Sequence, residues 1–175
     1  TYDDFVKKES SLEIRKVVLS KNLLTYNGKV QKPSVKVYDE NGTRITEGFK
    51  VSYPSGCKNL GSYKVTVTGT DNYKGTVTAS YVIRPAKCKT PSVKAGKKKM
   101  TVKWKKLGGG SQTYQIYVLK KGTKKAKYYT STKTSKTIKK LAKKKTYSVK
   151  IRSYKKISGK TYYGAWSGTK KVKIK

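Results

Sequence analysis

The chain has 175 residues, 44 of them Lys or Arg against 8 Asp or Glu, with two cysteines and no histidine. That length suits one large domain or two small ones. The missing histidine excludes Ser-His-Asp and Cys-His catalysis, and no apolar run approaches the ~20 residues that span a bilayer.

The first residues, "TYDDFVKKESSL", show no period of two and are expected to be a lead-in over 1–12. The start carries neither Met nor a signal segment, so the chain is expected to be an excised or processed piece of something longer. From Glu13 the pattern becomes strand-like. "LEIRKVVL" is followed by "LLTYNG", in which Asn27-Gly28 marks a turn. "PSVKVYDENGTRI" sets Val35 and Val37 on one face and turns at Asn41-Gly42, a pair that tolerates positive φ. "GFKVSY" alternates Phe49, Val51 and Tyr53; "GSYKVTVTG" alternates Tyr63, Val65 and Val67; "TVTASYVI" returns with Val77, Ala79, Tyr81 and Ile83. "RPAKCKTP" then reads as a linker, its prolines restricting the backbone.

After the linker the rhythm repeats. Met100, Val102 and Trp104 share a face, as do Tyr114, Ile116 and Val118, and as do Tyr147, Val149 and Ile151. Tyr128 and Tyr129 are expected on a strand, one inward and one outward. Ile138 and Leu141 add apolar anchors, and Val172 and Ile174 close the series. Short strands between Gly, Ser and Thr turns, with no helical period, predict an all-β fold of two tandem β-sandwich domains.

The charge divides at the same place. Residues 1–85 hold 14 basic groups and all eight acids, whereas residues 86–175 hold 30 basic groups and no acid. The second half therefore cannot supply a carboxylate pair or a hard-cation site. In the first half, Asp39-Glu40 precedes the Asn41-Gly42 turn, and turn chemistry accounts for it. No catalytic residue, metal or cofactor is expected, and the chain is read as a non-enzyme. An intramolecular Lys–Asn isopeptide bond is excluded from the second half, where no asparagine follows Asn72.

Lysine on the solvent face of a strand can lie along the sheet with its ammonium in water and discourage edge pairing between chains. That accounts for the lysines individually, though not for the absence of acids, since mixed charge would solubilise equally well. Only Arg15, Arg44, Arg84 and Arg152 are arginine. The scarcity of planar arginine forks argues against nucleic acid as the partner. An anionic polysaccharide or cell-wall polymer, or a host surface protein, fits better.

Cys57 lies in the loop before the strand at residues 62–68, and Cys88 just past the strand ending at Ile83. If those strands are antiparallel neighbours, the thiols meet at one edge. A Cys57–Cys88 disulfide closing a ~30-residue loop would then add a few kcal/mol.

"TVKWKKL", "YQIYV", "KTIKKLAKKKTYSVKIRSY" and "YYGAWSG" together resemble a fibronectin type III domain over about residues 90–175. The Leu141 to Tyr147 spacing is similar to that family's tyrosine corner. In the first half, "LTYNGKVQKPSVKVYD" and "FKVSYPSGCKNLGSYKVTVTGTDNYKGTVTASYVI" resemble the bacterial Ig-like repeats of Gram-positive surface proteins. The matching positions are Tyr26, Gly28, Lys32, Pro33, Val35, Gly61, Val65, Val67, Gly69, Asn72, Tyr73, Gly75 and Thr76; Cys57 departs from the pattern. These resemblances imply an Ig-like domain over 13–85, a linker over 86–90 and a type III domain over 91–175. They imply an extracellular, surface-attached or secreted monomer that spaces or adheres and inserts in no membrane. An accessory carbohydrate-binding region of a glycan-degrading enzyme is the alternative.

In the type III topology Tyr162, Tyr163 and Trp166 fall in the loop between the sixth and seventh strands, beside "KKLGGGSQ". Such rings could stack on sugars or a protein partner, or they could fill a junction or cap the core.

Overall fold

The computed structural model describes residues 11–175, and among them every regular element is a strand. By contacts the chain divides into two compact units. The first takes the chain up to Leu24, Val30–Cys57 and Ser62–Val82; the second takes Thr25–Lys29, Lys58–Gly61 and Ile83–Lys175. The lead-in expected over 1–12 lies outside the described residues except for Ser11 and Leu12.

The first unit is built on β1 (Leu12–Leu19), β2 (Leu23–Thr25), β3 (Val35–Asp39), β4 (Arg44–Ile45), β5 (Phe49–Ser52), β6 (Gly61–Gly69), β7 (Tyr73–Lys74) and β8 (Thr76–Arg84). One sheet runs β4-β3-β1-β7 and the other β2-β8-β6-β5. Alternation sends Ile14, Val37 and Ile45 from the first sheet, and Val67 from the second, into one core. Phe49, Val51 and Val77 pack against it, as their period of two requires. The turn between β3 and β4 consumes the acid before it: Asp39 Oδ1 accepts from the backbone N–H groups of Asn41 (3.0 Å) and Thr43 (2.8 Å). Asp39 is thus a buried turn residue, and Gly42 supplies the positive φ.

The second unit holds β9 (Ser92–Gly96), β10 (Lys99–Lys103), β11 (Thr113–Lys120), β12 (Lys127–Ser131), β13 (Ser135–Ile138), β14 (Thr146–Ile157), β15 (Lys160–Tyr163) and β16 (Lys170–Lys173). A three-stranded sheet, β13-β10-β9, faces a five-stranded one, β12-β11-β14-β15, in which β16 also pairs with β14. The core is the set that alternation picks out: Met100, Val102 and Trp104; Tyr114, Ile116 and Val118; Ile138 and Leu141; Tyr147, Val149 and Ile151; and Ile174. Tyr147 Oη accepts from the Ala142 N–H at 3.0 Å, which ties the start of β14 back to the preceding loop. That bond is the tyrosine corner the Leu141–Tyr147 spacing predicts. Gly164 is required by close approach, because a Cβ there would sit 2.4 Å from the Ala86 carbonyl oxygen.

Three lysines in this unit take the left-handed conformation: Lys98 (φ 52°), Lys140 (φ 58°) and Lys144 (φ 58°). For a residue with a Cβ that region costs ~1–2 kcal/mol, and Gly or Asn is the usual occupant. Lysine at all three positions is therefore disfavoured by the local backbone.

The two thiols do not pair. Cys57 and Cys88 are both free and buried, Cys57 in the first unit and Cys88 in the core of the second. The expected disulfide rested on β6 and β8 being neighbours, which they are. The loop after β5, however, turns Cys57 inward so that its thiol donates to the Pro54 carbonyl at 2.9 Å. Past β8 the chain seats Cys88 among Met100, Tyr114 and Ile151. Burial pushes the Cys88 thiol up from its ordinary value, while the neighbouring Ser153 pulls it partly back.

Two outcomes follow from these placements. Lys140→Asn and Lys144→Asn should each raise the unfolding free energy by about 0.5–1 kcal/mol, by relieving left-handed strain; a lowered thermal midpoint in either would contradict it. A thiol reagent at neutral pH should label neither cysteine in the folded protein and both in denaturant without reductant; failure to label in denaturant would show a bridge instead.

Candidate ligand surface

The outward face of the five-stranded sheet assembles aromatic rings and cations that are far apart in sequence. In β11, residues 113, 115 and 117 point away from the core, because Tyr114, Ile116 and Val118 point into it. Register then places Tyr117 opposite Tyr128 on β12 and opposite Lys150 on β14. The same register sets Gln115 opposite Arg152 and Thr113 opposite Tyr154. Tyr154 pairs in turn with Tyr163 on β15.

Trp166, in the segment after β15, joins this face. Its ring meets Tyr117 edge-on at 6.0 Å between centroids, and lies 6.5 Å from Tyr128. Lys150 Nζ lies 4.6 Å from the Tyr117 ring centroid and 5.1 Å from that of Trp166. The Arg152 guanidinium stands over Tyr163 at 3.8 Å and over Trp166 at 4.4 Å. Its Nε donates to Gln115 Oε1 at 2.8 Å. Such contacts are worth ~0.5–2 kcal/mol each, rising as water is excluded. Because residues 72–175 contain no carboxylate, rings and amide oxygens are the partners this face offers its cations.

Of the three residues singled out from the sequence, two therefore come together and one does not. Tyr163 and Trp166 both flank Arg152. Tyr162 alternates to the other side of β15, where Lys160 lies over its ring at 5.4 Å. The glycine loop expected beside these rings borders a different feature. It helps form an open cleft of about 700 Å³ lined by Leu107, Gln112, Thr134, Tyr154 and Lys155, without Tyr162, Tyr163 or Trp166. Tyr117, Tyr128, Lys150 and Arg152 are not among the residues the sequence marks as a ligand surface. Their signal was the outward phase of "YQIYV" and "SVKIRSY", which becomes a surface only once the strands are paired. Tyr128 and Tyr129 divide as expected: Tyr128 is 55% exposed, whereas Tyr129 packs on the core.

The arrangement can hold and display charge; it contains no nucleophile–base pair. Among the described residues no group of three or more His, Cys, Asp or Glu side chains could hold a metal ion. No helix among them is long and apolar enough to cross a membrane.

Comparison with known proteins agrees with this architecture. Residues 86–169 match the family model described as interferon-alpha/beta receptor, fibronectin type III. Among curated proteins none matches the chain. A two-domain fibronectin type III segment of chicken tenascin superposes with a TM-score of 0.63 at 13% identity, over 92% of this chain and 99% of that one. The FN1–FN3 domains of chicken CNTN1 give 0.48 at 15% identity, over 90% of this chain and 66% of theirs. A myokine structure gives 0.44 at 17% identity, over 51% of this chain and 97% of its own. The chain thus has an all-β, fibronectin type III-like fold.

Proposed function

We propose that this chain is a non-catalytic spacer and adhesion module of a bacterial surface protein, Ig-like in its first part and type III-like in its second. In this reading it touches anionic cell-wall or host glycans through its lysine-rich surface. The observation that carries the reading is the charge of residues 86–175, with 30 basic groups and no acid. Those groups lie mostly on the solvent side of the strands and in the turns, and none of them is buried. A surface of one sign concentrates polyanions and binds them through many weak, salt-screened contacts.

The geometry of the aromatic face weighs against the alternative, an accessory region that stacks on neutral sugars. A stacking platform needs a bare ring face, and Trp166 has Lys150 and Arg152 set against it. Its rings support the protein's own cations.

Binding to a sulfated polysaccharide, followed calorimetrically, should weaken at least about tenfold between 50 and 200 mM salt. It should persist in Trp166→Ala. Salt-insensitive binding to a neutral glycan, abolished by Trp166→Ala, would overturn the proposal in favour of the accessory carbohydrate-binding reading.

A further inference from the structure

The lysines of the second unit are not spread evenly, and backbone hydrogen bonds show where they gather. The turn between β9 and β10 holds Lys97 and Lys98, with Lys99 opening β10; the loop between β13 and β14 holds Lys139, Lys140, Lys143, Lys144 and Lys145; the last residues include Lys173 and Lys175. These three segments are stitched together. Lys98 N donates to the Lys175 carbonyl (3.2 Å) and Leu141 N to the Lys98 carbonyl (3.0 Å). Lys144 N donates to the Ile174 carbonyl (2.9 Å) and Ile174 N to the Lys145 carbonyl (3.0 Å). The turn after β11 joins the same end, with Lys121 N donating to the Thr146 carbonyl at 2.8 Å. That turn adds Lys124 and Lys125.

We infer that this pole of the second unit, centred on Lys98, Lys140 and Lys144, is the binding site for a flexible linear polymer bearing repeated monoanionic ester groups, sulfate or phosphodiester. The inference rests on the proposed polyanion contact and gives it a location. Three observations converge on it. Lys98, Lys140 and Lys144 occupy left-handed positions where a side chain is disfavoured. The sequence keeps the ammonium group at positions where the backbone conformation alone would be served better by glycine or asparagine. The side chains are exposed, and no acidic side chain in their half of the sequence neutralises them. The chemistry is that of hydrated, mobile point charges on a rigid frame, which suits singly charged groups along a flexible chain. Planar arginine forks would suit dianions or base edges. The four contributing segments carry no aromatic residue, so the stacking platform that single-stranded nucleic acid uses is missing.

The test compares two triple variants in the full chain. Lys98→Asn, Lys140→Asn and Lys144→Asn together remove three charges from the pole with a residue that tolerates the left-handed backbone. Lys105→Asn, Lys106→Asn and Lys133→Asn together remove three from the other end of β10, where Trp104 N bonds the Thr134 carbonyl. Heparin and a glycerol-phosphate polymer serve as the sulfate and phosphodiester probes, with duplex DNA alongside. The pole variant should lose about tenfold or more for whichever probe the wild type binds, with a flatter salt dependence, and the control about twofold or less. Lys143→Gln with Lys145→Gln provides a second pole variant should the Asn set melt early. Equal losses in the pole and control variants would overturn the site while leaving the polyanion reading standing. Wild-type binding to neither polymer would overturn that reading itself. Binding of DNA as tight as that of the polymers would overturn the assigned polymer class.

Discussion

The register of β14 against β11 is the constraint on which the second unit depends. Ile116 faces Ile151 and Val118 faces Val149 in the core, while Tyr117 faces Lys150 and Gln115 faces Arg152 outside. A slip of one residue would exchange the rows, putting Lys150 and Arg152 into the core. An unpaired buried cation costs several kcal/mol even after relaxation, and no carboxylate is at hand to accompany it. The lysines on the outer row thus help specify the pairing as well as dissolve the protein. A mixed-charge surface would enforce the register less strictly, because a slipped strand could recruit an ion pair.

The same lack of acids decides what the cations can touch. Ion pairing is open to the first unit, as in Arg15–Glu13 at 3.0 Å. In the second unit the anionic partner is replaced by the negative face of a ring. Lys150 and Arg152 use Tyr117, Trp166 and Tyr163, and Lys160 uses Tyr162. This gives a physical reason for pairing so many lysines with the eight tyrosines of residues 86–175. Tyrosine offers a β-prone body, a ring for a cation and a hydroxyl for a backbone group, as Tyr114 shows by accepting from Leu107 N at 2.9 Å. Cation–π contacts also survive salt better than exposed ion pairs, since part of their attraction is dispersion at close range.

Much of the fold was legible because strands carry their own period. Met100, Val102, Tyr114, Ile116, Val149 and Ile151 could be placed inward from alternation alone, and all are buried. Asp39 was legible as a turn residue for the same local reason. What alternation cannot supply is pairing between distant strands. Tyr117, Tyr128 and Lys150 are each unexceptional in sequence; register alone makes them neighbours. Cys57 and Cys88 failed in the complementary way. Their strands are neighbours as expected, but the side-chain directions at the strand ends were set by Pro54 and by the second core, which no spacing rule encodes. Tyr162 was misplaced within a cluster for want of one parity decision in β15.

The left-handed lysines separate the roles of the surface most sharply. A sheet-face lysine such as Lys150 is accounted for by register and ring contacts, so its charge needs no external partner. Lys98, Lys140 and Lys144 sit in turns, where nothing about the core demands lysine and the backbone disfavours it. Folding thus explains the first kind of lysine and is opposed by the second. Where a sequence holds a charge against its own conformational preference, three times over and at one end of a domain, the packed sheets carry the strain, and the charge itself is the part that local folding leaves unexplained.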